Sequence, residues 1–166
     1  MTLRSQVKKL VKTMASQNLT LGLAESCTGG LISAMVTEIP GVSKVFLGAI
    51  VSYANEVKHD LLRVPDTVLE TAGAVSKPTA EAMARGARRV LKSDWTISVT
   101  GIAGPTGGNA RKPVGLVFFA IAGPDFEKVN RRIFKGNRKK IQQQAAIAAV
   151  TQLLEVLLEQ LPSKRR

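Results

Sequence analysis

The sequence predicts an α/β fold, a three-layer α/β/α sandwich around a five-stranded, mixed, mostly parallel sheet. Three observations carry that prediction. Helix and strand patterns alternate up to the third strand, as parallel strands joined by crossovers require. Each of the first three apolar runs ends in a small, polar or glycine-rich stretch. The last two strand patterns are separated only by the turn signal GPDF, so one of them must run antiparallel.

Each element follows from its local pattern. Residues 1–17 place Leu3, Val7, Leu10, Val11 and Met14 on one face of an amphipathic helix. Residues 19–26 (LTLGLAES) are a short apolar strand. Residues 29–41 make a short helix, with glycine before it and Pro40-Gly41 stopping it. Residues 45–54 (VFLGAIVSYA) are β-branched and aromatic, a second strand. A helix over 55–62 follows, with Asn55 as its expected N-cap. Residues 65–76 are turn-rich, with one helical turn after Asp66. Residues 77–93 form a helix with Pro78 near its start and an alanine-rich interior. Residues 94–104 are the third strand, running into a glycine loop. Residues 105–113 lack periodicity and form a loop. Strands over 114–122 and 127–134 precede one long helix from Asn137 to Leu161.

The 166 residues suggest one domain spanning 1–166, large enough to fold without a staple. Apolar content of 45% and charged content of 22% are ordinary for a soluble globular protein. One cysteine excludes an internal disulfide and offers no metal-ligand cluster, so no metal or cofactor is expected. It also fits a cytoplasmic setting. No apolar run approaches a membrane span and the N-terminus lacks a signal-like apolar stretch, so no membrane partner is expected. The net charge of +12 favours anionic partners. Seven basic residues fall between Lys128 and Lys140, and the tail ends SKRR. With few aromatics and no RNA-binding signature, a phosphorylated small molecule is favoured over nucleic acid. A solvated basic face would account for the same charge.

Chemistry gathers at the strand ends, where ligands bind in open parallel sheets. The stretch AESCTGGLIS sets Ser26, Cys27 and Thr28 before Gly29 and Gly30. It reads either as a turn of small polar residues or as a nucleophile facing backbone N–H groups at a helix start. In the second reading, N–H groups around Thr28, Gly29 and Gly30 would hold an oxyanion. The second strand delivers Tyr53 and then Lys58, which Asn55 capping would set at the third helical position. Helix dipole and burial would both lower its pKa toward that of a neutral base. His59, the single histidine, is one step from Lys58, so only one of the two can face the cleft, and a Ser-His-Asp triad is a poor fit. Consecutive residues at a strand end face opposite ways, and Cys27 is as readily a small buried hydrophobe, which favours Ser26 as nucleophile. The loop TGIAGPTGG, which is neither a Walker A nor a dinucleotide fingerprint, adds N–H donors beyond the third strand.

Four ordered motifs, AESCTGG, GAIVSYANEVKHDLL, SVTGIAGPTGG with KPVGLVFFAI, and FKGNRKKI, closely resemble the C-terminal domain of the competence/damage-inducible protein CinA. The resemblance covers residues 3 to 160, without the extra N-terminal domain of the two-domain members. Standalone members are PncC-like nicotinamide mononucleotide deamidases. The resemblance implies a three-layer α/β/α fold and hydrolysis of the nicotinamide carboxamide to nicotinate mononucleotide and ammonia. It implies catalytic roles for Ser26, Tyr53 and Lys58. It places substrate contacts at Thr100, Gly101 and Arg138, and Asn55 is expected to join Thr28, Gly29 and Gly30 among them. Two positions depart from the family pattern: Thr106 stands for a glycine and Gln142 for a frequent arginine.

The expected function is therefore a metal-independent amidohydrolase acting on nicotinamide mononucleotide. Lys58, directly or through the Tyr53 hydroxyl, would take the proton of Ser26. The small-molecule substrate is the expected partner, and a homo-oligomer is left open. One rival is a serine-lysine hydrolase acting on another small anion. A second is a DNA- or partner-binding module without enzymatic activity.

Overall fold

A computed structural model describes residues 2–160, so the SKRR tail and the expected helix end at Leu161 lie outside the described residues. In chain order the elements are α1 (Leu3–Ser16), β1 (Leu21–Glu25), α2 (Leu31–Thr37), a 3-10 turn (Val42–Lys44), β2 (Phe46–Val51), α3 (Asn55–Leu62), α4 (Asp66–Thr71), α5 (Lys77–Leu91), β3 (Trp95–Gly101), β4 (Leu116–Gly123), β5 (Phe126–Ile133) and α6 (Arg138–Gln160). The expected order of elements is observed throughout.

The strands form one sheet in the order β2-β1-β3-β4-β5. β1 pairs in parallel with β2 and β3, while β4 is antiparallel to both β3 and β5. Four strands thus share one direction and β4 alone opposes them. β1 is buried at all its positions, and so is β3 up to Thr100. Their continuous apolar patterns are those of strands covered on both faces. α1, α2 and α6 cover one face, and α5, backed by α3 and α4, covers the other.

On the first face, Leu10 and Met14 of α1 and Leu153 and Leu157 of α6 share one apolar cluster with Leu23, Ile97 and Phe119 of the sheet. The start of α1 is fixed by a capping box, with the Thr2 hydroxyl accepting from the Ser5 N–H at 3.2 Å. α6 is the one described helix long and apolar enough to cross a membrane, but 56% of its most apolar window is buried inside the fold. It is here a core helix.

On the second face the contacts are between small residues: Ala80 and Ala84 of α5 meet Ala120 and Ala122 of β4. Gly86 serves the same close approach, because a Cβ there would sit 2.0 Å from the Leu62 carbonyl oxygen. Gly86→Ala is therefore expected to push α3 from α5 and cost about 1–3 kcal/mol. A fall in the urea midpoint with unchanged slope checks this.

The strands are offset or shortened by one to three residues against the sequence pattern, and three helix starts near the site differ from it. α2 begins only at Leu31, because Gly29 and Gly30 take left-handed φ values of 62° and 97°. Asn137 caps α6 rather than opening it, its side chain accepting from the Lys140 N–H at 3.0 Å. Asn55 is not the cap of α3. Ala54, extended at φ −79° and ψ 158°, holds that place with no side-chain bond, and Asn55 is the first helical residue.

Candidate active site

Because β1, β2 and β3 run side by side in one direction, their carboxyl ends open on one edge of the sheet. Ser26 follows β1, Tyr53 follows β2, and Thr100 and Gly101 end β3. With Lys58 of α3 and Arg138 of α6 they line a cleft of about 320 Å³, which Ala103, Gly104, Thr106 and Gly107 of the second glycine loop also border.

Lys58 is the central feature. It is 1% exposed, and none of the ion pairs among the described residues includes it. Its Nζ lies 2.6 Å from the Ser52 carbonyl oxygen, 3.0 Å from that of Tyr53 and 3.2 Å from Ser26 Oγ. Burial lowers its pKa from the ordinary 10.5. A charge on Cys27 would raise it, but desolvation pushes the Cys27 thiol itself up to about 12, so that thiol is neutral. A neutral amine has two N–H bonds and one lone pair. The two carbonyls can only accept, so in the neutral form they would take the N–H bonds and leave the lone pair for the Ser26 hydroxyl proton, whereas the ammonium donates to Ser26 Oγ. Lys58 stands fourth in α3, not third as Asn55 capping would have it, and its own amide already donates to Ala54 O. Burial, not the helix start, is what depresses it.

Ser26 sits on a closed loop. The Gly29 N–H donates to Ser26 O at 3.0 Å. The buried Glu25 carboxylate accepts from the N–H groups of Ser33, Gly30 and Ile32 at 2.8, 3.1 and 3.2 Å. The amides of Gly29 and Gly30 are thus already engaged, which corrects the expectation that they hold an oxyanion. Thr28, Gly29 and Gly30 border a neighbouring depression of about 620 Å³ that shares Arg138 with the cleft. Cys27 borders the cleft beside Ser26 while packing in the apolar core. The chain has left β1 at Glu25, so strand alternation no longer separates the two side chains.

The remaining expected residues divide. The Arg138 guanidinium spans the cleft mouth, with Nη1 donating to Gly104 O at 2.9 Å and Nη2 to the Tyr53 hydroxyl at 3.0 Å. Tyr53 is 62% exposed and reaches Lys58 through its carbonyl, its hydroxyl being on Arg138. Thr100 Oγ1 donates to Ala74 O at 2.7 Å, tying the segment after α4 to the end of β3. At Gly101 a Cβ would meet Val117 Cγ2 at 2.6 Å, so only glycine lets β3 end this close to β4. Asn55 lies apart, in a depression with His59, Asp66 and Glu70. His59 Nδ1 is 3.0 Å from Asp66 Oδ1 and 3.2 Å from Val64 O. It borders that depression and not the Ser26 cleft, and the Ser26 hydroxyl is bonded to Lys58, so no Ser-His-Asp triad is formed. Among the described residues no three of His, Cys, Asp and Glu come together as metal ligands.

Glu25, which sequence reasoning passed over, and Gln142, which it noted only as a departure from the family pattern, both hold the loop that carries Ser26. Glu25 looks like a polar strand end, and the only hint of its role was an acid four residues before a glycine pair. Gln142, one turn after Arg138, donates to Cys27 O at 2.9 Å.

A family model described as the CinA C-terminal domain matches residues 3–157. A CinA-like protein of Prochlorococcus marinus subsp. pastoris is 49% identical over 134 residues, covering 80% of this chain and 31% of that protein. A CinA-like protein of Pseudothermotoga lettingae is 44% identical over 156 residues, covering 94% of this chain and 38% of its own length. The chain thus spans about a third of the curated relatives it matches. The solved competence/damage inducible protein of Agrobacterium tumefaciens is 36% identical at a TM-score of 0.90, covering 93% of this chain and 94% of its own. The competence damage-inducible protein A of Klebsiella pneumoniae is 26% identical at a TM-score of 0.93, covering 97% and 100%.

Proposed function

This chain belongs to the CinA C-terminal domain family, and from that premise we propose that it hydrolyses the carboxamide of nicotinamide mononucleotide, giving nicotinate mononucleotide and ammonia through an acyl-enzyme on Ser26. The observation that carries the reading is the buried, unpaired Lys58 amine held 3.2 Å from Ser26 Oγ by two carbonyls.

In the proposed reaction neutral Lys58 takes the Ser26 proton as Oγ attacks the carboxamide carbon. Backbone N–H groups of the Ser26 loop hold the oxyanion. The C–N bond breaks as the Lys58 ammonium returns its proton to the leaving nitrogen, releasing ammonia. Neutral Lys58 then takes a proton from water, whose oxygen attacks the acyl carbon. Ser26 leaves and recovers its proton from Lys58. No step passes through the Tyr53 hydroxyl, which orients Arg138 instead. Such an activity would serve pyridine nucleotide recycling in the cytoplasm.

Incubation of the purified protein with nicotinamide mononucleotide is expected to release ammonia and nicotinate mononucleotide in equal amounts. No release would overturn the substrate assignment, and release equally fast from many small amides would point to a general serine-lysine amidase.

Arg138 is the proposed phosphate contact. Its guanidinium faces the cleft from α6 with donors to spare beyond Gly104 and Tyr53. Arg138→Ala is expected to raise KM for the nucleotide roughly ten- to hundredfold, since a hydrogen bond to a charged group contributes about 1.5–3 kcal/mol. The nucleoside lacking phosphate should lose far less. Equal losses for both would remove the phosphate role.

A further inference from the structure

The loop after β1 carries two consecutive amides whose orientation is fixed but whose hydrogens no other residue takes. Around them every other amide is engaged. Ser26 N–H donates to Val99 O, Gly29 N–H to Ser26 O and Leu31 N–H to Thr28 O. The Glu25 carboxylate takes Gly30, Ile32 and Ser33. That leaves Cys27 and Thr28. The Cys27 N–H meets only its own thiol, and the Thr28 N–H has no partner among the described residues. Thr28 Oγ1, also buried, lacks one as well.

Each of the two peptide planes is anchored through its carbonyl. The Ser26–Cys27 plane is held by the Gly29 N–H on Ser26 O at 3.0 Å. The Cys27–Thr28 plane is held by Gln142 Nε2 on Cys27 O at 2.9 Å, a contact reaching across 115 residues from α6. In a trans peptide the N–H points opposite to the C=O, so pinning one aims the other. Gln142 draws Cys27 O toward α6 and therefore turns the Thr28 N–H away from α6.

We infer that the Cys27 and Thr28 amides form the oxyanion site beside Ser26, and that Gln142 is the positioning residue that holds the second of them. The inference rests on the acyl-enzyme reading above and narrows it. The start of α2 is closed to the oxyanion by Glu25, whereas the two amides that directly follow the nucleophile are taken by no other residue and are held through their carbonyls, so donation from them would need little reorganisation.

Gln142→Met keeps the side-chain bulk and removes the donor, whereas Gln142→Arg keeps a donor. Gln142→Met is expected to lower kcat for ammonia release about tenfold or more, with KM within about twofold, because the oxyanion exists only in the transition state. The 3-formylpyridine analogue of the nucleotide, which adds Ser26 as a hemiacetal, should lose affinity by the same factor. Affinity for nicotinate mononucleotide should stay unchanged, and Gln142→Arg should recover most of kcat. Unchanged kcat in Gln142→Met, or a parallel loss of aldehyde and product affinity, would overturn the role. The rate at which a fluorophosphonate labels Ser26 needs no knowledge of the substrate. If wild type labels at Ser26 yet releases no ammonia, the substrate assignment fails alone. Slower labelling of Gln142→Met at unchanged Tm then sustains the inference, and equal labelling overturns it. A wild type that is never labelled at Ser26 overturns both.

Discussion

Ser26→Ala is expected to abolish ammonia release, by roughly 10⁴- to 10⁶-fold in kcat, while the protein stays folded. Losses of that size follow removal of a serine nucleophile whose base is left in place. The fold should tolerate the change, because the one hydrogen bond recorded for Ser26 Oγ is to Lys58 Nζ, which keeps the Ser52 and Tyr53 carbonyls. The stability change is expected to stay within about 1 kcal/mol. Cys27→Ser provides the contrast. The Cys27 thiol is buried, and desolvation pushes its pKa up to about 12, so no thiolate is present to attack. Placing a hydroxyl there should lower Tm, at a cost of about 1–3 kcal/mol, and leave most of kcat. Turnover of both variants, with mass spectrometry of the trapped acyl-enzyme, decides between the two residues. An active Ser26→Ala beside an inactive Cys27→Ser would reverse the assignment.

How much of this site was legible beforehand depended on the range of the interactions involved. The strand ends that bring Ser26, Tyr53 and Thr100 together follow from local periodicity and crossover length, which a sequence displays directly. Lys58 was identified from its place in the first turns of α3 and from the family motif, although the Asn55 cap behind the first argument is not observed. The cap of α3 was misjudged because Asn55 has the chemistry of a cap but Ala54 has the backbone conformation for it. Glu25 was passed over because an acid inside an apolar strand looks exposed. Its burial is made tolerable by three amides that lie five to eight residues further on. The contacts of Gln142 with Cys27 and of Arg138 with Tyr53 span 115 and 85 residues. No periodicity encodes such pairings: the family motif brought Arg138 to the site, and the folded chain adds the contacts by which α6 closes it.

Lys58→Arg is expected to be nearly inactive, with kcat down about 10²- to 10⁴-fold, the usual contribution of a positioned general base. Guanidinium keeps its proton at any working pH, so the charge would survive and the base would not. Lys58→Ala should be equally poor and partly rescued by added primary amine, while Tyr53→Phe should cost less, since the Tyr53 hydroxyl is bonded to Arg138 and not to Lys58. The pH dependence follows from the direction of the Lys58 shift. Burial lowers its folded pKa below 10.5, so the neutral, active form grows as pH rises through that lowered value. Activity should climb with pH across it and then level off, without waiting for the range of a free lysine. Stability carries the same sign. Between the lowered folded pKa and 10.5 the unfolded chain binds more protons than the native one, so unfolding free energy rises with pH through that window. Lys58→Met removes the titration, and its stability should lack the rise that the wild type displays. The decisive pair of measurements is the wild-type pH–rate profile and the turnover of Lys58→Arg. Substantial turnover in the arginine variant would make Lys58 a fixed charge. Because His59 pairs with Asp66 outside the cleft, Tyr53, which lines it, would then be the first group to test as the base.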